Sequence, residues 1–147
     1  MAHIDSKCLL SEDLALPASA TTEYSTNELH FEAGKNAWGV TLLTPNAPHG
    51  TPLYLNFVMN TVASTGSSPT LTLNLVADTT TAPTTVTQIL CSTVAAATLV
   101  AGWKLSVALQ DFPAWPVYLR LQVVAGTAGF STGTYTAWIS AVPLSDY

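Results

Sequence analysis

Charged side chains are scarce in this 147-residue chain. They make up 9% of the residues, whereas soluble domains typically carry about 25%. Nine acidic and only four basic side chains give a formal net charge of −5. Binding to a phosphate backbone needs a clustered basic stripe, so we predict that the protein binds no nucleic acid. The basic residues are scattered, at Lys7, Lys35, Lys104 and Arg120.

Cysteine is also rare, with only Cys8 and Cys91. An even number is weak grounds for a disulfide, and two buried free thiols are the simpler interpretation. A secretory leader is not predicted, because Glu12 and Asp13 interrupt the apolar stretch before residue 20. The uncharged run at residues 79–103 raises the question of a membrane span, but its Thr, Ser and Gln side chains would remain unsatisfied in lipid. We expect a soluble protein with no membrane contact.

Motifs that carry chemistry are missing. The histidines, His3, His30 and His49, are far apart, whereas a zinc or iron site needs three or four converging ligands. No G-x-S-x-G turn occurs, and the glutamates between residues 23 and 32 fit a solvated strand edge better than a glycosidase carboxylate pair. A catalytic Ser–His–Asp triad could still be assembled from residues that are distant in sequence, although no pattern points to a particular serine. We predict no enzyme activity, no catalytic residue, no metal site and no cofactor.

What the sequence has instead is alternation with a period of two. At residues 117–124 the side chains of Leu119, Leu121 and Val123 alternate with polar or outward ones, and a second alternating run follows at residues 134–141. Such runs are typical of strands with one buried face. The Gly- and Thr-rich connection between the two runs predicts that they form an antiparallel pair.

Similar runs occur along the rest of the chain. Alternation predicts strands at residues 20–31, 52–60, 70–78, 84–93 and 103–109. The alanine-rich residues 94–102 permit a helical turn that ends at Gly102. The fold class is therefore all-β: an antiparallel β-sandwich of the jelly-roll type with about seven or eight strands. We assign residues 21–147 to this domain and residues 1–20 to an extended N-terminal arm or docking segment.

The N-terminal segment lacks a sustained period. Its leucines are spaced irregularly, and Pro17 ends it. Two interpretations are open, a strand packed on its own domain and an arm that reaches a neighbouring subunit.

Four tryptophans are the largest apolar side chains. Trp103 alternates with core residues and is predicted to be buried, whereas Trp138 shares a face with Thr and Ser, and Trp115 lies between two prolines. An outward tryptophan is either an interface anchor or a platform for sugar stacking. Each one could equally lie flat on its own domain beneath a loop.

Six segments stand out when they are taken in order. They are IDSKCLLSE (4–12), ATTEYSTNELHF (20–31), GTPLYLNFVMN (50–60), AGWKLSVAL (101–109), PVYLRLQVVAGT (116–127) and TGTYTAWI (132–139). Their order and spacing resemble the jelly-roll cement (decoration) proteins of tailed bacteriophage capsids, of the kind known on a short-tailed Bordetella phage. None of the segments is a catalytic signature. The chain departs from the family at residues 38–51, where turns rich in His, Pro and Asn are inserted.

The resemblance implies a structural virion protein. Such a protein is made in the host cytoplasm, decorates the outer surface of an icosahedral capsid and binds across neighbouring major capsid subunits as a homo-oligomer, with a dimer favoured over a trimer. Few charges and an apolar N-terminal segment are consistent with a permanent interface. The residues expected at the oligomer or capsid contact are Ile4, Leu9, Leu10, Leu14, Leu16, Trp38 and Trp115.

Two other functions stay open on the sequence. A carbohydrate-binding β-sandwich module, serving virion adhesion, would use exposed aromatic rings as sugar platforms. An enzyme of the cupin type would need a metal held by clustered histidines.

Overall fold

The computed structural model describes residues 9–31, 53–109 and 117–144. These residues form nine strands and a short 3-10 turn at Ala96–Thr98. The strands are β1 (Leu9–Ala15), β2 (Thr22–Tyr24), β3 (Leu29–Phe31), β4 (Tyr54–Met59), β5 (Thr70–Asp78), β6 (Val86–Ala95), β7 (Lys104–Ala108), β8 (Val117–Gly126) and β9 (Thr134–Ser140).

The strands build two antiparallel sheets that share one core. Sheet A has the strand order β1-β9-β4-β7, and sheet B has the order β2-β8-β5-β6, with β3 also paired to β8. The first and last strands are neighbours, and successive strands mostly lie in opposite sheets, as in a jelly roll. The prediction of an all-β antiparallel sandwich is confirmed.

Nine strands are present among the described residues, rather than seven or eight, because β1 lies in the segment assigned to the N-terminal arm and because the strand predicted at residues 20–31 is interrupted. Both β2 and β3 pair with β8, and the N–H of Ser25 still donates to the carbonyl of Leu121 (2.8 Å), but residues 26–28 leave the sheet. At the break, the buried hydroxyl of Ser25 accepts the N–H of Leu121 (3.1 Å) and donates to the carbonyl of Asn27 (2.8 Å). The Ser25 hydroxyl therefore replaces the backbone acceptor that the N–H of Leu121 would otherwise have in a continuous strand.

The predicted pairing of the last two strands is wrong. β8 pairs with β2, β3 and β5, whereas β9 pairs with β1 and β4 in the other sheet. Their connection crosses the sandwich and ends at Gly133, whose φ of 119° suits glycine. The Gly133 carbonyl accepts the N–H of Leu16 (2.9 Å). Alternation identified the buried face of each strand, but it carries no information about which strand lies beside it.

Leucines of sheet B pack against aromatic side chains of sheet A in the core. Phe57 stacks on Tyr135 with ring centroids 4.8 Å apart, and it meets Trp103 edge-on at 6.0 Å. Burying a side chain of this size stabilises the fold by roughly 1.5–3 kcal/mol. The fully buried leucines are Leu10, Leu55, Leu71, Leu73, Leu75, Leu99, Leu119 and Leu121.

Candidate interaction surfaces

The described part of the predicted N-terminal arm is a strand of sheet A. β1 pairs with β9, and its side chains at Leu10 and, just beyond the strand, Leu16 lie in the core of their own chain. Leu14 packs against that core and Leu9 is half-buried. The expectation that Leu10 and Leu16 contact a partner is therefore corrected, because both side chains are already buried within the sandwich.

The other predicted contact residues lie outside the described residues. They are Ile4, Trp38 and Trp115.

The outer edge of β1 is closed by residues 25–28. The backbone N–H of Asn27 donates to the carbonyl of Leu10 (2.8 Å), and its side-chain amide donates to the carbonyl of Leu9 (3.0 Å). The N–H of Thr26 donates to the buried hydroxyl of Ser11 (3.2 Å). These bonds join the two sheets on this side and occupy edge carbonyls that another strand would need for pairing.

β1 also bends at Asp13. This residue has a φ of 48°, in the left-handed region that Asp tolerates better than most residues. Its carboxylate accepts a hydrogen bond from Nδ2 of Asn60 (3.2 Å), and its backbone N–H donates one to Oγ1 of Thr136 (3.2 Å). Hydrogen bonds from Thr134 and Asn60 lower the pKa of Asp13 below its ordinary value of 3.8, because they favour the charged carboxylate.

A row of polar side chains crosses the outer face of sheet B. Asn74 donates to Oε1 of Gln122 (2.8 Å), and Gln122 donates to the hydroxyl of Tyr24 (3.4 Å). Asn74 and Gln122 are buried, and Oδ1 of Asn74 has no hydrogen-bond partner in the described part of the chain. An unsatisfied buried amide oxygen costs about 1–3 kcal/mol, so the packing of the sheet must hold this row in place.

Arg120 lies beside this row. Its guanidinium stands 4.1 Å from the ring centroid of Tyr24 and donates from Nη2 to the carbonyl of Pro83 (2.7 Å). The carboxylate of Glu28 accepts the N–H of Ala82 (2.6 Å). Both contacts fasten the β5–β6 connection onto sheet B, so these charged groups serve the fold.

The two described tryptophans are not exposed platforms. Trp103 packs against the core, as predicted. Trp138 lies on the outer face of sheet A, as its neighbours in sequence indicated, but only 5% of it is exposed. The chain after β9 folds across part of the same face, where Nδ2 of Asn56 donates to the carbonyl of Val142 (3.2 Å). Neither indole is available as an anchor or a sugar platform in this arrangement.

Reactive groups do not converge within residues 9–31, 53–109 and 117–144. No cluster of three His, Cys, Asp or Glu side chains in these ranges could hold a metal. His30 is stacked on Tyr118, with ring centroids 4.2 Å apart. Cys91 is a half-buried free thiol, and burial raises its pKa, which lowers the thiolate fraction at neutral pH.

Two further features of the described chain bear on binding. A cavity of about 150 Å³ is lined only by hydroxyl, proline and alanine side chains, at Thr65, Ser68, Pro69, Ala95, Ala96 and Ala97. Across the part of the chain that the structure describes, no helix is both long enough and apolar enough to cross a membrane.

The surface that sequence reasoning missed is the outer side of β6. Val86 is 43% exposed and Ile89 is 66% exposed. Both pair in register with residues on the outer face of sheet B, Val76 and Asn74. The signal in the sequence was the uncharged run at residues 79–103, but alternation alone does not reveal that this strand is the last of its sheet.

Comparison of the chain with protein-family models and with curated proteins finds no match.

Proposed function

We propose that this protein is a structural virion protein that decorates the outer surface of an icosahedral phage capsid and cements neighbouring major capsid subunits. The proposal rests on the resemblance of six ordered segments to capsid cement proteins and on one structural observation. The uncharged run at residues 79–103 lies largely at the surface, where it forms β6 and its two flanking connections. The cores of protein interfaces are depleted of charge, so a surface of this kind supports adhesion.

The proposed mechanism is mechanical bracing. A compact sandwich with few charges attaches at many equivalent sites on a shell, and each copy spans neighbouring subunits. Modest individual contacts are then strengthened by multivalency when copies are also joined to each other. Hydrogen bonds that join the two sheets, such as those of Asn27, support this role because they stiffen the domain that bears the load.

The carbohydrate-binding alternative receives less support from the described aromatic rings. Trp103 is packed against the core and Trp138 is buried. One face of Tyr24 is covered by the Arg120 guanidinium, and one face of Tyr118 by the His30 ring. None of these contacts favours sugar binding over adhesion to a protein surface, so we do not carry this alternative further.

The direct test is binding to capsids that lack the decoration protein. Purified protein is mixed with such capsids, and occupancy is measured by cosedimentation and by imaging. We expect saturable binding at regular positions on the outer surface, together with slower loss of DNA on heating. Absence of saturable binding, or absence of the chain from purified virions, would refute the proposed function.

A second test concerns the segment before β1, which we expect to contact the capsid. A deletion through residue 16 would remove β1 and expose the core, since Leu10 and Leu16 are buried. Deleting residues 2–8 leaves β1 intact and asks only about the segment before it. We expect this deletion to reduce occupancy, while a deletion of residues 145–147 serves as the matched control. Equal occupancy of the two deletions would place the capsid contact elsewhere.

A further inference from the structure

Four connections of the described chain meet at one end of the sandwich. The strand register places the ends of β1 and β4 beside the start of β9, and the end of β8 beside the starts of β2 and β5. The β6–β7 connection lies at the same end, because β6 ends beside the start of β5 and β7 begins beside the end of β4. None of the four contains a charged residue, and we call them together the charge-free end. They are residues 16–21, 60–69, 96–103 and 127–133.

The opposite end of the sandwich carries charged side chains. Three of them hold the β5–β6 connection: Asp78 accepts the N–H of Thr79 (2.7 Å), and Glu28 and Arg120 bind the backbone of residues 82–83. The two ends therefore differ in charge. A charged partner surface placed on the charge-free end would lose its hydration without gaining a counter-charge. The charge-free end therefore fits an uncharged partner surface, and the cores of protein interfaces are depleted of charge in the same way.

Hydrogen bonds join the connections of the charge-free end into one surface. The N–H of Phe130, in the β8–β9 connection, donates to the carbonyl of Pro17 in the β1–β2 connection (2.8 Å). Ser64 of the β4–β5 connection bonds twice to the β8–β9 connection, through its N–H (3.2 Å) and its hydroxyl (2.8 Å). The N–H of Ala63 donates to the carbonyl of Leu99, ahead of β7 (2.9 Å). Loops held in place in this way lose little conformational entropy when they bind.

Two exposed valines and a cavity lie on the charge-free end. Val62 is 54% exposed and Val100 is 51% exposed. The cavity of about 150 Å³ lies between residues 65–69 and residues 95–97, and most of its lining residues are exposed, so it opens to solvent. An apolar cavity of about 150 Å³ is large enough to bind benzene. The cavity therefore has room for one apolar side chain of a partner.

From these observations we propose that the charge-free end binds an uncharged surface of a major capsid subunit, and that one apolar side chain of that subunit enters the cavity. This inference rests on the proposed function. A protein that spans two subunits needs contacts at two separated places. The segment before β1 joins the sandwich at Leu9, whereas Ala15 borders the charge-free end, and a strand of this length separates the two places by about 20 Å. The two contacts can therefore engage different subunits.

The first experiment compares two substitutions that change the net charge equally. Binding to capsids that lack the decoration protein is measured for the parent chain, Val100→Lys and Val142→Lys. Val142 is also an exposed valine (42%), but it follows β9 at the opposite end. We expect Val100→Lys to weaken binding by at least about tenfold and Val142→Lys to change it by less than about twofold. Circular dichroism confirms that both variants are folded.

The second experiment fills the cavity. Ala97→Phe places a large side chain in its lining, and Ala141→Phe makes the same change at an exposed alanine of the opposite end. We expect Ala97→Phe to lower capsid occupancy and Ala141→Phe to leave it unchanged. Sedimentation equilibrium of the parent chain and of Val100→Lys, without capsids, shows whether a second copy occupies the same surface.

The outcomes separate this inference from the proposed function. If the parent chain does not bind capsids, both are refuted. If the parent binds, and Val100→Lys and Ala97→Phe bind as well as their controls, only the contact at the charge-free end is overturned. It is also overturned if the parent self-associates in solution and Val100→Lys abolishes that association, because the surface is then occupied by a second copy of the chain.

Discussion

The two outermost strands on opposite sides of the sandwich, β1 and β6, differ in how their edges are treated. β1 contributes Leu10 to the core, and its edge carbonyls are bound by Asn27 from the other sheet. β6 presents Ile89 to solvent and carries no charge. A side chain that is buried in the core adds to the stability of the chain, whereas an apolar side chain that stays mostly exposed adds little to it.

The comparison predicts opposite effects of the same type of truncation. Leu10→Ala should lower the free energy of unfolding by about 2–5 kcal/mol, because it leaves a cavity in the core. Ile89→Ala should change it by less than about 0.5 kcal/mol, since that side chain is mostly exposed. Urea unfolding of the two variants at low protein concentration measures both values. Similar losses in the two variants would mean that β6 is as integral to the monomer as β1.

The buried Tyr135, which is hydrogen-bonded to Ser11 of β1, should make the stability of the fold sensitive to alkaline pH. Burial raises the pKa of Tyr135 from 10.0 to about 12, an effect partly offset by a hydrogen bond with Ser11 of β1 and increased by the charge of Glu23. Between these pH values the unfolded chain loses its tyrosine proton first, so stability falls as pH rises. The loss approaches about 2.7 kcal/mol near pH 12, at about 1.36 kcal/mol per pKa unit.

Tyr135→Phe tests this expectation through the slope of stability against pH. The variant loses the hydroxyl that bonds Ser11, so its stability at neutral pH also falls, but its decline between about pH 10 and pH 12 should be shallower. Ile89→Ala, on the other side of the sandwich, should keep the slope of the parent chain. Parallel alkaline slopes for the parent and Tyr135→Phe would show that other groups control alkaline unfolding.

Much of this fold could be predicted from the sequence, because burial of one strand face leaves a period of two. The strand at residues 70–78 matches β5 at both ends, since its leucines alternate with outward Thr, Asn and Val side chains. Partners could not be predicted, because β8 and β9 alternate equally well whether they share a sheet or face each other across the core. The break at Ser25 also escaped prediction, since its hydroxyl is satisfied by Leu121, distant in sequence.

The surfaces were harder to predict than the core. The leucines near the N-terminus have no period because β1 is bent and its register with β9 shifts twice, so a core strand gave the pattern of a loose arm. The buried pair of Asn74 and Gln122 lies 48 residues apart in sequence and forms only across β5 and β8. The exposure of Ile89 depends on which strand ends sheet B, a property of the topology that local alternation does not contain.

The smallest effect that we expect is a contribution of Asp13 in β1 to stability at acidic pH. The pKa of Asp13 is lowered by hydrogen bonds from Thr134 and Asn60, so the carboxylate contributes stability above the ordinary value of 3.8, and this contribution is lost as pH falls through the lower value of the folded chain. Asp13→Asn keeps an amide oxygen for Asn60 and tolerates the left-handed φ, and therefore removes the charge alone.

The melting temperature of Asp13→Asn, measured from neutral pH down to about pH 2.5, should fall less steeply in acid than that of the parent. Glu12→Gln, which removes a neighbouring exposed carboxylate without touching the Asn60 bond, is the matched control for net charge. The effect is small because Asp13 is solvent-exposed and screened. If both variants reduce the fall in melting temperature at low pH equally, the loss of stability in acid reflects the overall charge of an acidic chain. The bend in β1 would then be maintained by backbone geometry and the Thr136 bond rather than by the carboxylate.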